Sequence, residues 1–197
     1  PGTNDALSSY TSIFFGAQLP TQDLIDLYEP GDARLAGWYD PCFDEDSGSP
    51  FSGCDQINDN GFELKKWASE RDPSQFADNH PHLRVAEMVL IQAEARLNQS
   101  GVSEAISRLN DLRRQRNAST LNASNFDPSS ALQEILDERR RELVAEGHRF
   151  FDQKRLGRDI RKVQGIDDIQ FRDRAILDDY PDGELLTDDS LSGNPGY

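Results

Sequence analysis

Residues 83–95 read LRVAEMVLIQAEA, and this stretch decides the fold class. Apolar residues recur three or four positions apart, which places them on one face of an α-helix: Leu83, Ala86, Leu90, Ala93 and Leu97. Gly101 follows, and glycine is the residue that most often ends a helix. The pattern therefore predicts an amphipathic helix that buries this face and stops at Gly101.

A second helix is predicted directly after the glycine. Ser103 is suited to cap its N-terminus, and its apolar stripe contains Ala105, Ile106, Leu109 and Leu112. Two helices joined by so tight a turn, together about 34 residues, have the size of one tetratricopeptide-type unit. Such a unit cannot bury its apolar face alone, so it requires neighbouring helices.

A third long helix is predicted from Ser130 to Glu146, with Ser130 and Gln133 spaced as a capping box. Its apolar face consists of Leu132, Ile135, Leu136 and Leu143. Gly147 is expected to break or bend this helix, and a shorter helix with Phe150, Phe151 and Leu156 follows. Residues 80–158 are therefore predicted to be helical, and the fold class to be mainly α.

The flanking regions lack this periodicity. Residues 1–79 are predicted to be a loop-rich segment that packs on the helical core, and residues 80–197 to be the helical region with an extended tail, together one structural unit. The local predictions are a short helix at 21–28 with Thr21 as its N-cap, a stop at Pro30-Gly31, a loop at 38–61, a strand at 63–67 and extended structure at 159–197.

Charge and hydropathy exclude several classes of function. The net charge is -15, which is unsuited to binding a phosphate backbone or an anionic membrane surface. No apolar run approaches the roughly 18 residues that a transmembrane helix requires. The chain opens with Pro1-Gly2-Thr3, without an initiator Met or a leader pattern, so we expect an internal start with any targeting signal upstream of it.

Cys42 and Cys54 lie in the loop-like stretch, with eleven residues between them. A local disulfide in an oxidising compartment would stabilise the fold by roughly 3 kcal/mol; two free thiols are the alternative. The same stretch contains oxygen ligands of the kind that Ca²⁺ prefers, without an EF-hand pattern: Asp44, Glu45, Asp46, Asp55, Asn58, Asp59 and Asn60. Solvated surface charge is the simpler interpretation, so no metal or cofactor is assigned, with Ca²⁺ as the alternative.

Glu138 and Glu142 could suggest a pair of catalytic carboxyl groups. They are one helical turn apart on the same face, whereas glycoside hydrolysis requires two carboxyl groups that face each other across a bond. Three arginines lie between them, Arg139, Arg140 and Arg141, and nearby cations keep carboxyl groups ionised. We therefore predict an ion-pair network that fixes helix packing, and no catalytic residue.

The loop-like stretch also contains residues suited to carbohydrate. Sugar rings stack on flat aromatic faces, and amide groups bind their hydroxyls. The candidate ligand-binding residues are Trp38, Tyr39, Phe43, Phe51, Asn58 and Asn60. The alternative is that Trp38 and Tyr39 pack the loop onto the helices.

Three stretches together resemble the SusD/RagB family. Residues 83–95 are similar to that family's R-x-A-E-x-x-L-I-x-A-E-A helix, residues 138–152 (ERRRELVAEGHRFFD) resemble its E-R-R-x-E-L-x-x-E-G-x-R-x-x-D signature, and the chain ends in the N-P-G-Y of residues 194–197. Upstream, Leu24, Tyr28, Asp32 and Arg34 match L-x-x-x-Y-x-x-x-D-x-R. The charged residues expected to be structural are Arg84, Glu87, Glu94, Glu138, Arg139, Arg140, Glu142 and Glu146.

The resemblance implies an α-α superhelix of tetratricopeptide-like helix pairs with irregular loops and short strands. It also implies a surface-exposed lipoprotein of the outer membrane that captures an oligosaccharide or polysaccharide and delivers it to a SusC-like TonB-dependent transporter. Family members are two to three times longer, so this chain would be their C-terminal portion. The alternative function is a helical-repeat adaptor that binds only another protein.

Overall fold

The computed structural model describes residues 20–41, 62–64, 66, 83–160 and 170–171. In chain order the elements are α1 (Gln22–Ile25), α2 (Ala33–Trp38), β1 (Tyr39–Pro41), β2 (Phe62–Leu64), α3 (Val85–Ser100), α4 (Val102–Gln115), a 3₁₀ turn (Ala123–Asn125), α5 (Pro128–Glu142) and α6 (His148–Arg155). The predicted mainly α fold class is confirmed. The chain divides into two compact units, Pro1–Glu142 and Leu143–Tyr197.

The helices α3 and α4 form an antiparallel pair about Gly101. Arg96 Nη1 lies 3.6 Å from Glu104 Oε2, and Arg108 Nε donates to Gln92 Oε1 at 2.8 Å. From the first contact to the second, the residue numbers decrease along α3 and increase along α4, so the two helices are antiparallel. Gly101 has φ +92 and is both the C-cap of α3 and the N-cap of α4. The predicted N-cap at Ser103 is wrong, because α4 already begins at Val102.

The core of the first unit lies between α3, α4 and α5, which pack against one another. Its fully or almost fully buried apolar residues are Leu90, Ala93, Ala105, Ile106, Leu109, Ala131, Ile135 and Leu136. Burial of each larger side chain contributes about 1.5–3 kcal/mol. Leu83, predicted on the buried face, is instead 81% exposed, because α3 begins only at Val85 and the helical period does not extend back to it.

The start of α5 lies two residues before the predicted one. Asp127 Oδ1 accepts from the Ser130 amide at 2.8 Å, and Ser130 Oγ accepts from the Asp127 amide at 2.9 Å. This is a reciprocal capping box, with Pro128 at the first helical position that proline favours. Gln133, the predicted partner of Ser130, bonds Asp137 instead.

The end of α5 lies at Glu142, four residues before the predicted end. Two residues with positive φ interrupt the helix, Ala145 at +62 and Gly147 at +78, and α6 begins at His148. Glycine adopts this conformation readily, whereas alanine is strained there by about 1–2 kcal/mol. The break at Gly147 and the following short helix were both predicted.

We expect Ala145→Gly to raise the free energy of unfolding by about 0.5–1 kcal/mol, because it relieves the strained φ. Ala95→Gly, on the exposed side of α3, is the matched control and should lower it by about 1 kcal/mol. Urea denaturation of both variants measures the difference. A loss of stability in Ala145→Gly equal to that of the control would contradict this reading of the break.

Residues 20–41 and 62–66 lie upstream of the three core helices. α1 is shorter than the predicted helix at 21–28. Thr21 is at its N-cap position, as predicted, but the Thr21 hydroxyl accepts from Arg140 Nη2 and makes no cap hydrogen bond. α2 was not predicted; its start is fixed by Asp32, whose carboxylate accepts from the Arg34 amide at 2.9 Å. β1 and β2 pair antiparallel, with Tyr39 opposite Leu64. Among the described helices, none has the length and apolar character needed to cross a bilayer.

Candidate functional site

Glu138 and Glu142 lie on the inner face of α5, and both side chains are 0% exposed. Glu138 Oε1 accepts from Arg34 Nη1 at 2.6 Å. Its Oε2 accepts from Arg113 Nη1 at 2.8 Å and from Arg141 Nη2 at 2.6 Å. One carboxylate therefore bonds three guanidinium groups from three parts of the chain.

Glu142 repeats this arrangement one turn later. Arg116 donates to both of its oxygens, at 2.9 and 2.8 Å, in the bidentate geometry that is the strongest form of this pair. Arg84 Nη1 donates to Oε1 at 2.9 Å, and Arg34 Nη1 to Oε2 at 3.1 Å. Glu142 thus ties α5 to the residue that precedes α3 and to the residue that follows α4.

Arg34 connects the two glutamates to the segment that precedes α2. Its Nε and Nη2 bond the two oxygens of Asp32 at 2.9 and 2.7 Å. The side chain is 1% exposed, so its charge is removed from water and depends on these carboxylates. Arg34 is therefore one of the residues that hold residues 28–39, hereafter the anchored segment, on α5.

Two further carboxylates complete the arrangement, which we call the ionic cluster. Glu134 Oε1 accepts from Arg141 Nη2 at 2.6 Å, and Glu29 bonds Arg113 Nη2. The cluster then holds five acids and five arginines among the described residues: Glu29, Asp32, Glu134, Glu138 and Glu142 with Arg34, Arg84, Arg113, Arg116 and Arg141. Pairing of Asp32, Glu138 and Glu142 with guanidinium groups allows these carboxylates to be buried, because an unpaired buried ion costs several kcal/mol.

The pKa values follow from this geometry. Burial alone would raise the pKa of Glu138, but the charges of Arg34, Arg141 and Arg113 outweigh it and lower that pKa below its ordinary 4.5. Burial would also raise the pKa of Glu142. The hydrogen bond and charge of Arg116, together with the hydrogen bond of Arg84 and the charge of Arg34, outweigh this effect and lower the pKa. Neither group holds a proton near neutral pH, so neither can act as a general acid.

We expect the protein to lose stability in acid. A carboxyl group whose pKa is lower in the folded state contributes stability above its unfolded pKa of about 4.5, and loses it as the pH falls through the folded value. The free energy of unfolding, measured in urea from about pH 6 to pH 3, should therefore fall below about pH 4.5. Glu142→Gln should show a shallower decline; identical acid slopes for variant and wild type would contradict the assignment.

The C-terminal carbonyls of α5 also bind side chains from outside the helix. Lys66 Nζ and Arg84 Nη2 donate to the main-chain oxygen of Glu142, at 2.6 and 2.8 Å. The Tyr28 hydroxyl donates to the main-chain oxygen of Arg141 at 2.8 Å. These oxygens have no partner within a helix, and cations at this end are favoured by the helix dipole.

The predicted ligand-binding residues separate into three cases. Tyr39 is 2% exposed; its hydroxyl lies 3.0 Å from that of Tyr28, and burial raises its pKa to about 12. Its ring packs edge-on against the rings of Tyr28 and Phe62, so it is not exposed for stacking in this structure. Trp38 is half-buried, with Lys66 Nζ 4.3 Å from its ring centroid. The other candidates lie outside the described residues: Phe43, Phe51, Asn58 and Asn60, together with Cys42, Cys54 and the acidic residues considered for Ca²⁺.

The residues predicted to be structural occupy different places. Arg84, Glu138 and Glu142 meet in the ionic cluster. Arg140 instead pairs with Asp23 at the surface, at 2.8 Å. Arg139 is buried, while three others are half-buried: Glu87, Glu94 and Glu146.

Sequence reasoning missed several members of the cluster. Arg113 and Arg116 lie in the arginine-rich run RRQR, and nothing in such a run distinguishes an inward arginine from an exposed one. Asp32 and Arg34 had a signal, since both belong to the upstream motif, but the motif does not show that they bond α5.

A comparison with known families identifies the family of this chain. The SusD family matches residues 45–197, more than half of the chain. The chain belongs to the SusD family. The segment with Asp32 and Arg34 lies upstream of the matched residues, so its attachment to α5 is a finding of the structure alone. No curated protein sequence matches the chain.

Solved structures agree with SusD family membership. A SusD-like carbohydrate binding protein from Bacteroides vulgatus is 28% identical with a TM-score of 0.56; the match covers 72% of this chain and 28% of that one. A SusD superfamily protein from Bacteroides thetaiotaomicron is 26% identical with a TM-score of 0.66, covering 89% of this chain and 40% of that one.

A further Bacteroides vulgatus structure matches the whole of this chain and 43% of its own, with a TM-score of 0.72. At 22% identity it shows the fold alone. The chain therefore spans less than half the length of these SusD-like structures.

Proposed function

We propose that this chain is part of a non-catalytic cell-surface protein that binds glycan and delivers it to a SusC-like TonB-dependent transporter. The observation that carries the proposal is membership of the SusD family over residues 45–197. A relative of similar fold, 28% identical, is described as a carbohydrate binding protein, which supports glycan as the ligand class. The location that follows is the outer membrane, with the protein held there as a lipoprotein and exposed at the surface.

The ionic cluster supports a binding role over a catalytic one. A retaining or inverting glycosidase requires one carboxyl group that is protonated and another that is free to attack or to activate water. Glu138 and Glu142 each bond three arginines and are fully buried. Their role is to hold the anchored segment on the helices, which leaves recognition to the residues that follow it.

The proposed ligand face begins at Trp38. Four further candidates follow within about twenty residues of it: Phe43, Phe51, Asn58 and Asn60. Aromatic rings suit the apolar faces of sugars, and amides suit their hydroxyl groups. No cofactor is part of the proposal; a Ca²⁺ requirement would show as a loss of binding in EDTA.

The test is glycan binding by the intact protein that contains this chain. Affinity electrophoresis and titration calorimetry with amylopectin, laminarin, xyloglucan and galactomannan should reveal binding to at least one, without release of reducing ends. Trp38→Ala should weaken it, while Arg114→Ala, on α4 with its side chain 56% exposed, should not. Co-purification with the transporter tests the partner.

Two results would overturn the proposal. Release of reducing ends would make the protein an enzyme. Co-purification with a transporter, combined with no affinity for any glycan of a wider array, would favour the protein-binding adaptor instead.

A further inference from the structure

Lys66 faces an aromatic ring and a helix terminus at the same time. Its Nζ lies 4.3 Å from the centroid of the Trp38 ring and donates to the main-chain oxygen of Glu142 at 2.6 Å. The side chain is buried. Because a cation over an indole is attracted most strongly when it is removed from water, this contact favours one position of the Trp38 ring.

The neighbouring aromatic residue, Tyr39, is linked through Tyr28 to the main-chain oxygen of Arg141, which precedes Glu142 in α5. Tyr39 bonds the Tyr28 hydroxyl at 3.0 Å, and that hydroxyl donates to the main-chain oxygen of Arg141 at 2.8 Å. Trp38 and Tyr39 are thus both supported by consecutive carbonyls in the last turn of α5. They differ in exposure, since Tyr39 is buried and Trp38 only half-buried.

We infer that Lys66 is a positioning residue for glycan recognition, presenting Trp38 as the ring on which a sugar stacks. The inference rests on the proposed function and adds to it a residue outside the predicted ligand set. A ring held against a buried cation keeps one orientation, which reduces the ordering cost when a sugar stacks on it. Lys66 therefore acts through Trp38 and need not contact the glycan.

The experiment uses the intact protein and the polysaccharide, among amylopectin, laminarin, xyloglucan and galactomannan, that the wild type binds most tightly. Lys66→Met removes the cation and keeps most of the side-chain volume; it should raise the Kd by about tenfold. Lys66→Arg keeps a cation over the ring and should restore the Kd to within about threefold of the wild type. Lys154→Met is the matched control, because Lys154 Nζ also lies over a ring, 5.8 Å from the Phe150 centroid, and its Kd should not change.

A second readout reports the ring itself. Trp38 and Trp67 are the two tryptophans of this chain, so Trp38 becomes the sole indole fluorophore when Trp67, together with any tryptophan of the intact protein outside the chain, is replaced by Phe. In that background, Lys66→Met should increase quenching of Trp38 by acrylamide, and Lys154→Met should not. Circular dichroism establishes that each variant is folded at the temperature of the titration.

The outcomes separate the inference from the proposed function. If the wild type binds none of the four polysaccharides and no glycan of a wider array, the proposed function fails and the positioning role fails with it. If the wild type binds and Lys66→Met binds equally well, the inference alone is overturned. Unchanged quenching in Lys66→Met would overturn it as well, because the ring would then not depend on the cation.

Discussion

Glu138→Gln should lower the free energy of unfolding by about 3–5 kcal/mol, since it removes one partner of a buried ionic network. The substitution keeps the shape of the side chain and removes its charge. Three guanidinium groups then lose a shared counter-ion: Arg34, Arg113 and Arg141. The new amide also directs N–H groups at donors, so part of the hydrogen bonding is lost together with the charge.

The matched control for this variant is Glu104→Gln. Glu104 pairs with Arg96 at 3.6 Å, and its side chain is 57% exposed, so its loss should change stability by no more than about 0.5 kcal/mol. Urea denaturation of the intact protein measures both. Equal, small effects from the buried and the exposed glutamate would mean that the cluster contributes nothing beyond surface ion pairs.

Arg34→Met should be nearly as damaging, with a loss of about 3 kcal/mol or more. Methionine fills much of the same buried space but leaves Asp32 without its two guanidinium bonds. Arg34→Lys should recover only part of the loss, because an ammonium group cannot reproduce the fork that reaches Asp32 and both glutamates. We also expect the anchored segment to become sensitive to proteolysis before the core helices α3, α4 and α5 do.

Arg140→Met is the control for Arg34→Met, because Arg140 also joins α5 to the preceding segment. Its partner Asp23 is 71% exposed, so this pair should contribute at most about 1 kcal/mol. The comparison isolates burial as the cause of the difference. If Arg140→Met were the more destabilising of the two, the exposed pair at Asp23 would hold residues 20–41 on α5 more firmly than the buried pairs of Arg34 do.

The sequence predicted the helical scaffold well because apolar spacing depends on local geometry. The spacing of Leu90 and Ala93 followed from the 3.6-residue period, as did that of Ala105, Ile106 and Leu109, and all five are buried as expected. Glycines at 101 and 147 marked helix ends because both adopt positive φ. The exact helix boundaries were harder to predict. Helix α5 begins at Pro128 with Asp127 as its cap, and not at Ser130, since a proline at the first helical position is itself a start signal.

The candidate site was less predictable, because it depends on which distant residues meet. The charges of Glu138 and Glu142 were visible, and an ion-pair network was the natural interpretation of the arginines between them. Arg34 lies more than a hundred positions upstream of both glutamates, and no local pattern joins such residues. The burial of Tyr39 beside the partial exposure of Trp38 likewise follows from tertiary packing, since both are aromatic residues in one short stretch.

The most direct test of the central claim, that buried ion pairs fasten the anchored segment to α5, is a double-mutant cycle on Arg34→Met and Glu138→Gln. The two residues are in contact at 2.6 Å, so we predict that the double variant loses less than the sum of the single variants, by about 1.5–3 kcal/mol. Free energies of unfolding that add to within about 0.5 kcal/mol would show independent sites and contradict the account.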